Sequence, residues 1–144
     1  MRRRRLPIIV FALMLAATLT VGCSKGGGGA TPTDALKAYI DAASKKDVAG
    51  MKSHLSQGTL KLMEEGAKAK NQNLDDMLKE EASKTSSAEV TDIKYSNEKV
   101  TGDTATVDMT AKGETATMPL VKESGEWKLA IDKFIQDMKS KMGG

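Results

Sequence analysis

The sequence is poor in the residues that most often carry chemistry or staple a small protein. It holds one cysteine, one histidine, one tryptophan, two tyrosines, two phenylalanines and three prolines in 144 residues. One cysteine cannot form an internal disulfide. Every arginine lies within the first five residues, at Arg2 to Arg5. The rest of the chain therefore has no rigid guanidinium fork with which to grip phosphate or carboxylate in two places. The formal charge of +3 depends on those arginines, because the 18 lysines that remain face 19 acidic residues, giving about −1. So nearly neutral a surface exerts little pull on a polyanion, and nucleic-acid binding is not expected. No phosphate-binding glycine loop, nucleophile elbow or zinc motif occurs.

What is present begins with an address. Arg2 to Arg5 form a charged front, residues 6–21 an apolar run, and Gly22-Cys23 a small-residue cleavage point, the three parts of a secretory signal. Sixteen residues reach only ~24 Å as a helix, short of the roughly 30 Å hydrocarbon core of a bilayer. The run is thus expected to be removed, not to remain as a span. The residues Leu19-Thr20-Val21-Gly22-Cys23 resemble the bacterial lipobox, although Thr20 stands where an aliphatic residue is usual. That resemblance implies cleavage before Cys23, acylation of its side chain and new amino group, and a membrane partner reached through those acyl chains. Ser24 after the cysteine implies the periplasmic side of the outer membrane where two membranes exist. The expected division is a signal over 1–22, a lipidated cysteine with a Gly-rich tether over 23–33, and one domain over 34–142.

Within that domain the apolar period is first helical. Leu36, Tyr39, Ile40 and Ala43 share a face behind a cap at Thr33 or Asp34. Asp47, Ser56 and Asn73 are expected to cap three further helices, carrying Met51 and Leu55, then Leu60, Met63 and Ala67, then Leu74, Met77 and Leu78. After residue 87 the period falls to two. Strands are expected over 89–96, 104–112, 115–122 and 126–131, reversing at Gly102-Asp103, Lys112-Gly113 and Ser124-Gly125. Tight turns between short strands make an antiparallel meander. Asp132 is expected to cap a last helix with Phe134, Ile135, Met138 and Met142 along one face. The fold class is α+β, with N-terminal helices packed on a four-stranded antiparallel meander and a C-terminal helix.

Two stretches carry a resemblance: Thr31-Pro32-Thr33-Asp34-Ala35-Leu36, opening a helix to Lys45-Lys46-Asp47, and 100–107 leading to 120–129 with its Gly125-Glu126-Trp127-Lys128. Over residues 31–131 they resemble the domain of unknown function 4878, a lumazine-binding-like family of bacterial envelope proteins. It belongs to the nuclear transport factor 2-like superfamily, with its cystatin-like fold. The resemblance implies a sheet wrapped around the helices to leave a cone. Ile93, Tyr95, Val107, Met109, Met118, Leu120 and Trp127 are the candidate lining of a pocket for an apolar small molecule or peptide. The alternatives are a structural or interaction domain, perhaps a homodimer through the outer face of Thr104, Thr106, Thr110, Thr115 and Thr117, and a superfamily-type isomerase or hydrolase.

The stock for catalysis is thin. His54 has no evident second ligand or partner carboxylate, and Asp108, by alternation, faces away from the core. Glu64-Glu65, Asp75-Asp76 and Glu80-Glu81 diverge around their helices among lysines. Seven methionines follow Cys23 and read as core filling, because they spread through the apolar stripes of several elements. No catalytic residue, metal site or cofactor is expected.

Overall fold

The structure is a computed structural model, and residues 31–85 and 90–143 are described, apart from the side chain of Lys141. The signal, Cys23 and the Gly-rich stretch through residue 30 lie outside the described residues. So does residue 89, where the first strand was expected to start.

Helix α1 spans Pro32–Ser44. Its start is encoded by a capping box: the Thr31 hydroxyl accepts the Asp34 N–H at 3.1 Å and the Asp34 carboxylate accepts the Thr31 N–H at 3.3 Å. Pro32 occupies the first helical position, where a missing N–H costs nothing. Pro32 and Thr33 thus form the first turn of the helix, and the cap lies at Thr31 instead of the expected Thr33 or Asp34. Helix α2, Val48–Ser53, α3, Gln57–Ala69, and α4, Leu74–Lys84, begin at Asp47, Ser56 and Asn73 as expected.

Strands β1, Lys94–Thr101, β2, Thr104–Ala111, β3, Glu114–Glu123, and β4, Glu126–Leu129, form one antiparallel sheet in sequence order. The turns carry the dihedrals that hairpins demand. Lys112 and Gly113 both take positive φ, at 53° and 84°, as do Ser124 and Gly125 at 51° and 82°, the pattern of a type I′ turn. The last helix, α5, spans Ile131–Met142.

Two strand boundaries differ from the expectation. β1 starts at Lys94 and runs on to Thr101 with a bulge between Ser96 and Lys99, where Asn97 takes a positive φ of 51°. Ile93 precedes the strand. β4 stops at Leu129, and Ile131 opens α5. Asp132 is not the cap of that helix; the cap position is Ala130, which supplies no side-chain hydrogen bond.

The core lies between α1, α2 and α4 on one side and the inner face of the sheet on the other. Leu36, Met51, Leu78, Val107, Leu120 and Leu129 are at most 1% exposed, and Trp127 is 6% exposed. The alternation predicted for β2 holds, with Ala105 and Val107 buried and Thr106 and Asp108 on the outer face. β4 does not end the sheet with a free edge. The Ser56 N–H donates to the Leu129 carbonyl at 2.9 Å and the Leu129 N–H to the His54 carbonyl at 2.8 Å, so the 54–56 segment covers it.

Candidate functional site

The seven residues expected to line a pocket are not gathered around one cavity. Val107, Leu120 and Trp127 belong to the packed core, and Tyr95, Met109 and Met118 pack against it half-buried. Ile93 instead lines a surface hollow of about 600 Å³ with Ile40, Lys84 and Ile93's neighbour Asp92. Lys122 reaches over the Trp127 ring, 5.5 Å from its centroid, and Lys37 over Tyr95 at 5.4 Å. These contacts cover the aromatic faces with aliphatic stems as well as charge.

His54 ends α2 and is half-buried beside β4. Its Nδ1 is buried without a hydrogen-bond partner. Burial, and then the nearby Lys128 ammonium, hold its pKa below the ordinary histidine value, against weaker pulls from Glu126 and Asp47. Lys128 itself donates to the Ser53 carbonyl at 2.6 Å and pairs with Glu126 at 2.8 Å. The imidazole is therefore held neutral next to a cation, a poor start for a general acid. Among the described residues, no group of three or more His, Cys, Asp or Glu side chains is placed to hold a metal ion.

The other polar groups near the core already have structural partners. The Tyr39 hydroxyl donates to Glu81 Oε1 at 3.1 Å, and burial first, then the Glu81 charge, push its pKa well above the ordinary phenol value. Burial also raises that of Tyr95. Asp108 lies on the outer face, accepting from the Thr117 hydroxyl at 2.6 Å and from Asn97 Nδ2 at 2.8 Å, and these bonds lower its pKa. On the same face the Thr110 and Thr115 hydroxyls bond each other at 2.7 Å, and Thr104 Oγ1 donates to the Thr101 carbonyl at 2.9 Å.

The most developed polar cluster is one that pattern reading did not single out. Thr59, fully buried, sits where α3, β4 and α5 meet. Its Oγ1 lies 2.9 Å from Asp132 Oδ1, 3.3 Å from the Leu129 carbonyl and 2.9 Å from Ser56 Oγ, which is itself 3.1 Å from Asp132 Oδ1. Two hydroxyls own two protons, so the assignment that uses the shortest contacts has Ser56 donating to Thr59 and Thr59 to the carboxylate. Asp132 and Glu123 together face the start of α3, with the Gln57 N–H donating to Glu123 Oε2 at 3.1 Å. Negative charge at a helix N-terminus is favourable. Gly58 makes room for this: a Cβ there would come within 2.8 Å of the Asp132 Cγ. A second glutamate serves α1, where Glu98 Oε2 accepts the Thr33 N–H at 2.9 Å. Glu98 and Glu123 bond the starts of α1 and α3 to the sheet, and Asp132 joins α5 to α3 while also bordering the groove between those two helices with Lys61, Glu65 and Lys139.

The sequence from 57 to 142, which takes in α3, α4, the sheet and α5, matches the family described as low molecular weight antigen MTB12, C-terminal domain. The chain belongs to this family. The match is to a different family model from the one that the motifs at 31–47 and 100–129 resembled, and it includes both the long helical stretch and the C-terminal helix. No curated protein matches the chain. Among solved structures, a putative NTF2-like transpeptidase from Campylobacter jejuni is similar at 15% identity and a TM-score of 0.49, covering 69% of this chain and 96% of that one.

Proposed function

We propose that this member of the MTB12 C-terminal-domain family is a non-enzymatic envelope lipoprotein. It is held on the membrane by acyl chains on Cys23 and acts through its surface as an interaction domain. The observation that carries the reading is the filled interior. The space between helices and sheet, expected to be a cone, is occupied by Leu36, Met51, Val107, Leu120 and Leu129, each at most 1% exposed. Protein interiors are packed as densely as organic crystals, so an apolar ligand entering there would have to displace these side chains. The half-buried acids Glu81 and Asp132 support the non-enzymatic part, because Tyr39, Ser56 and Thr59 already occupy them.

The anchor is supported by the order of charged front, apolar run and Cys23 in the sequence, and by the cysteine having no partner with which to form a disulfide. Export to the periplasmic side of an outer membrane follows from Ser24 where such a membrane exists. A homodimer through the threonine face has less support, since Thr104, Thr110, Thr115 and Thr117 spend their hydroxyls within the sheet. Metabolic labelling with a palmitate analogue tests the anchor. Wild-type protein is expected to carry the label in the membrane fraction and Cys23→Ser to lack it; an unlabelled wild type refutes the reading.

A further inference from the structure

Among the described residues four large apolar side chains stand in solvent, and three of them lie on α5: Phe134 at 43% exposure, Met138 at 44% and Met142 at 76%. A spacing of four sets them in one line along the helix. The start of α5 is fastened, with Ile131 packed on the core, Asp132 bonded to Ser56 and Thr59, and Ile135 half-buried in a groove against α3. Past that point the apolar line continues outward.

Lysines stand on both sides of it. Lys133 and Lys139 lie beside the stripe on α5. Lys133 also joins Lys99, Thr101, Thr104, Thr106 and Pro119 in lining a shallow basin of about 350 Å³ on the sheet. Among the described residues, none of Lys99, Lys133 and Lys139 forms an ion pair. Of the two acids on α5, Asp132 is bonded to Ser56 and Thr59 and Asp137 is exposed, while Glu65 shares the groove against α3 with Lys139 and Asp108 lies near Lys99.

We infer that α5 and the Lys99–Lys133 basin dock on an anionic lipid surface, the Phe134–Met138–Met142 stripe entering the interface and the lysines meeting headgroup phosphates. An amphipathic helix with apolar side chains on one face and lysines beside them binds in this way, by buried apolar area together with attraction to anionic lipid. The inference rests on the lipid anchor proposed above for proximity alone: a Gly-rich linker of about seven residues between Cys23 and the cap of α1 would span roughly 15 Å on average, which keeps the domain at the bilayer. A second copy fits the stripe less well, because it would bring two sets of lysines together.

The test uses the full chain, purified from a bacterial host and mixed with vesicles whose acyl chains carry bromine, a short-range quencher of indole. Phe134→Trp supplies the reporter, and wild type supplies the Trp127 background. The added emission is expected to be quenched in phosphatidylglycerol vesicles and not in phosphatidylcholine vesicles, and Met138→Asp should abolish the quenching. Lys133→Gln and Lys139→Gln should each weaken vesicle docking about fivefold, the effect of one basic residue near an anionic surface. Flotation of wild type and Cys23→Ser reads the anchor separately. Quenching without Cys23-dependent flotation keeps the docking and removes the anchor, whereas flotation without quenching removes the docking and keeps the anchor. Equal quenching in both lipids overturns the inference, and so does an indole shielded from aqueous quencher in detergent alone, which assigns the stripe to a second copy.

Discussion

Replacing Thr59 by valine removes one hydroxyl from the centre of the junction between α3, β4 and α5 and changes the side-chain shape hardly at all. Thr59 is fully buried, and its Oγ1 takes part in contacts with Ser56, Leu129 and Asp132, including the Asp132 N–H at 3.3 Å. The bond lost to the carboxylate is charge-assisted, worth about 1.5 to 3 kcal/mol, and the Asp132 N–H loses an acceptor for about 1 kcal/mol more. Ser56 has a fallback, since its hydroxyl already lies 3.1 Å from Asp132 Oδ1. The net cost is then about 2 to 4 kcal/mol, or a melting point lower by roughly 10 to 15 °C for a domain of this size. Asp132→Ala should cost less, near 1 to 2 kcal/mol, because the Thr59 hydroxyl can turn to the Leu129 carbonyl and Ser56 keeps Thr59 as acceptor. Urea denaturation followed by far-ultraviolet circular dichroism reads both, with an unchanged m-value showing that only stability has moved. Thr59→Ser keeps the hydroxyl and removes the methyl, which separates the hydrogen-bond network from the packing of the side chain. If Thr59→Val falls within about 0.5 kcal/mol of wild type, the range of ordinary surface substitutions, the junction is not held by this network.

Three further outcomes follow. Gly58→Ala should destabilise the protein although alanine favours helix, because the new Cβ meets the Asp132 carboxylate; a rise in melting temperature would show that Asp132 can move aside at little cost. Trp127→Ala should cost roughly 3 to 5 kcal/mol by the cavity it leaves in the core, read by the same urea titration, and an unchanged midpoint would place the ring outside. For His54, burial and Lys128 favour the neutral imidazole in the folded state, whereas the unfolded chain takes up the proton near pH 6.5. Stability should therefore fall as pH drops below about 6.5 and fall less in His54→Gln; parallel pH profiles for the two proteins would refute the buried neutral assignment.

How far the fold was legible depended on whether the signal was local. The β2–β3 hairpin was readable because Ala105, Val107 and Met109 alternate with Thr106, Asp108 and Thr110 and end at Lys112-Gly113, a pair suited to a type I′ turn. Asp47, Ser56 and Asn73 were readable as caps for the same reason. The start of α1 was present in the sequence, as Thr31 with Asp34 three residues on and Pro32 between them, but glycine-rich neighbours made it look like tether. β1 was misplaced because it is a sheet edge. Only Tyr95 of its eight residues is even half-buried, and its polar run Asn97-Glu98-Lys99 with a bulge is what protects such an edge from pairing with another chain.

The junction at Thr59 was not legible from local pattern. Ser56, Thr59 and Asp132 lie 73 to 76 residues apart across the contact, and Asp132 looks locally like the cap of its own helix. Gly58 was the one signal that could have found it. A glycine in the first turn of a helix needs a reason, and the reason is a carboxylate arriving from elsewhere. The candidate pocket meets a different limit. Alternation correctly gave the inward face of the strands, but it cannot say whether the space they face is open, because that depends on how closely α1 and α2 approach.

The filled interior is tested most directly by Trp127, a natural reporter set in the core wall. Its emission should be followed while the purified protein is titrated with a long-chain fatty acid below its micelle concentration. The account predicts no saturable change in emission and no rise in melting temperature. A saturable one-to-one change that Val107→Phe abolishes, with the fold intact, would contradict it and restore an apolar ligand to the cone.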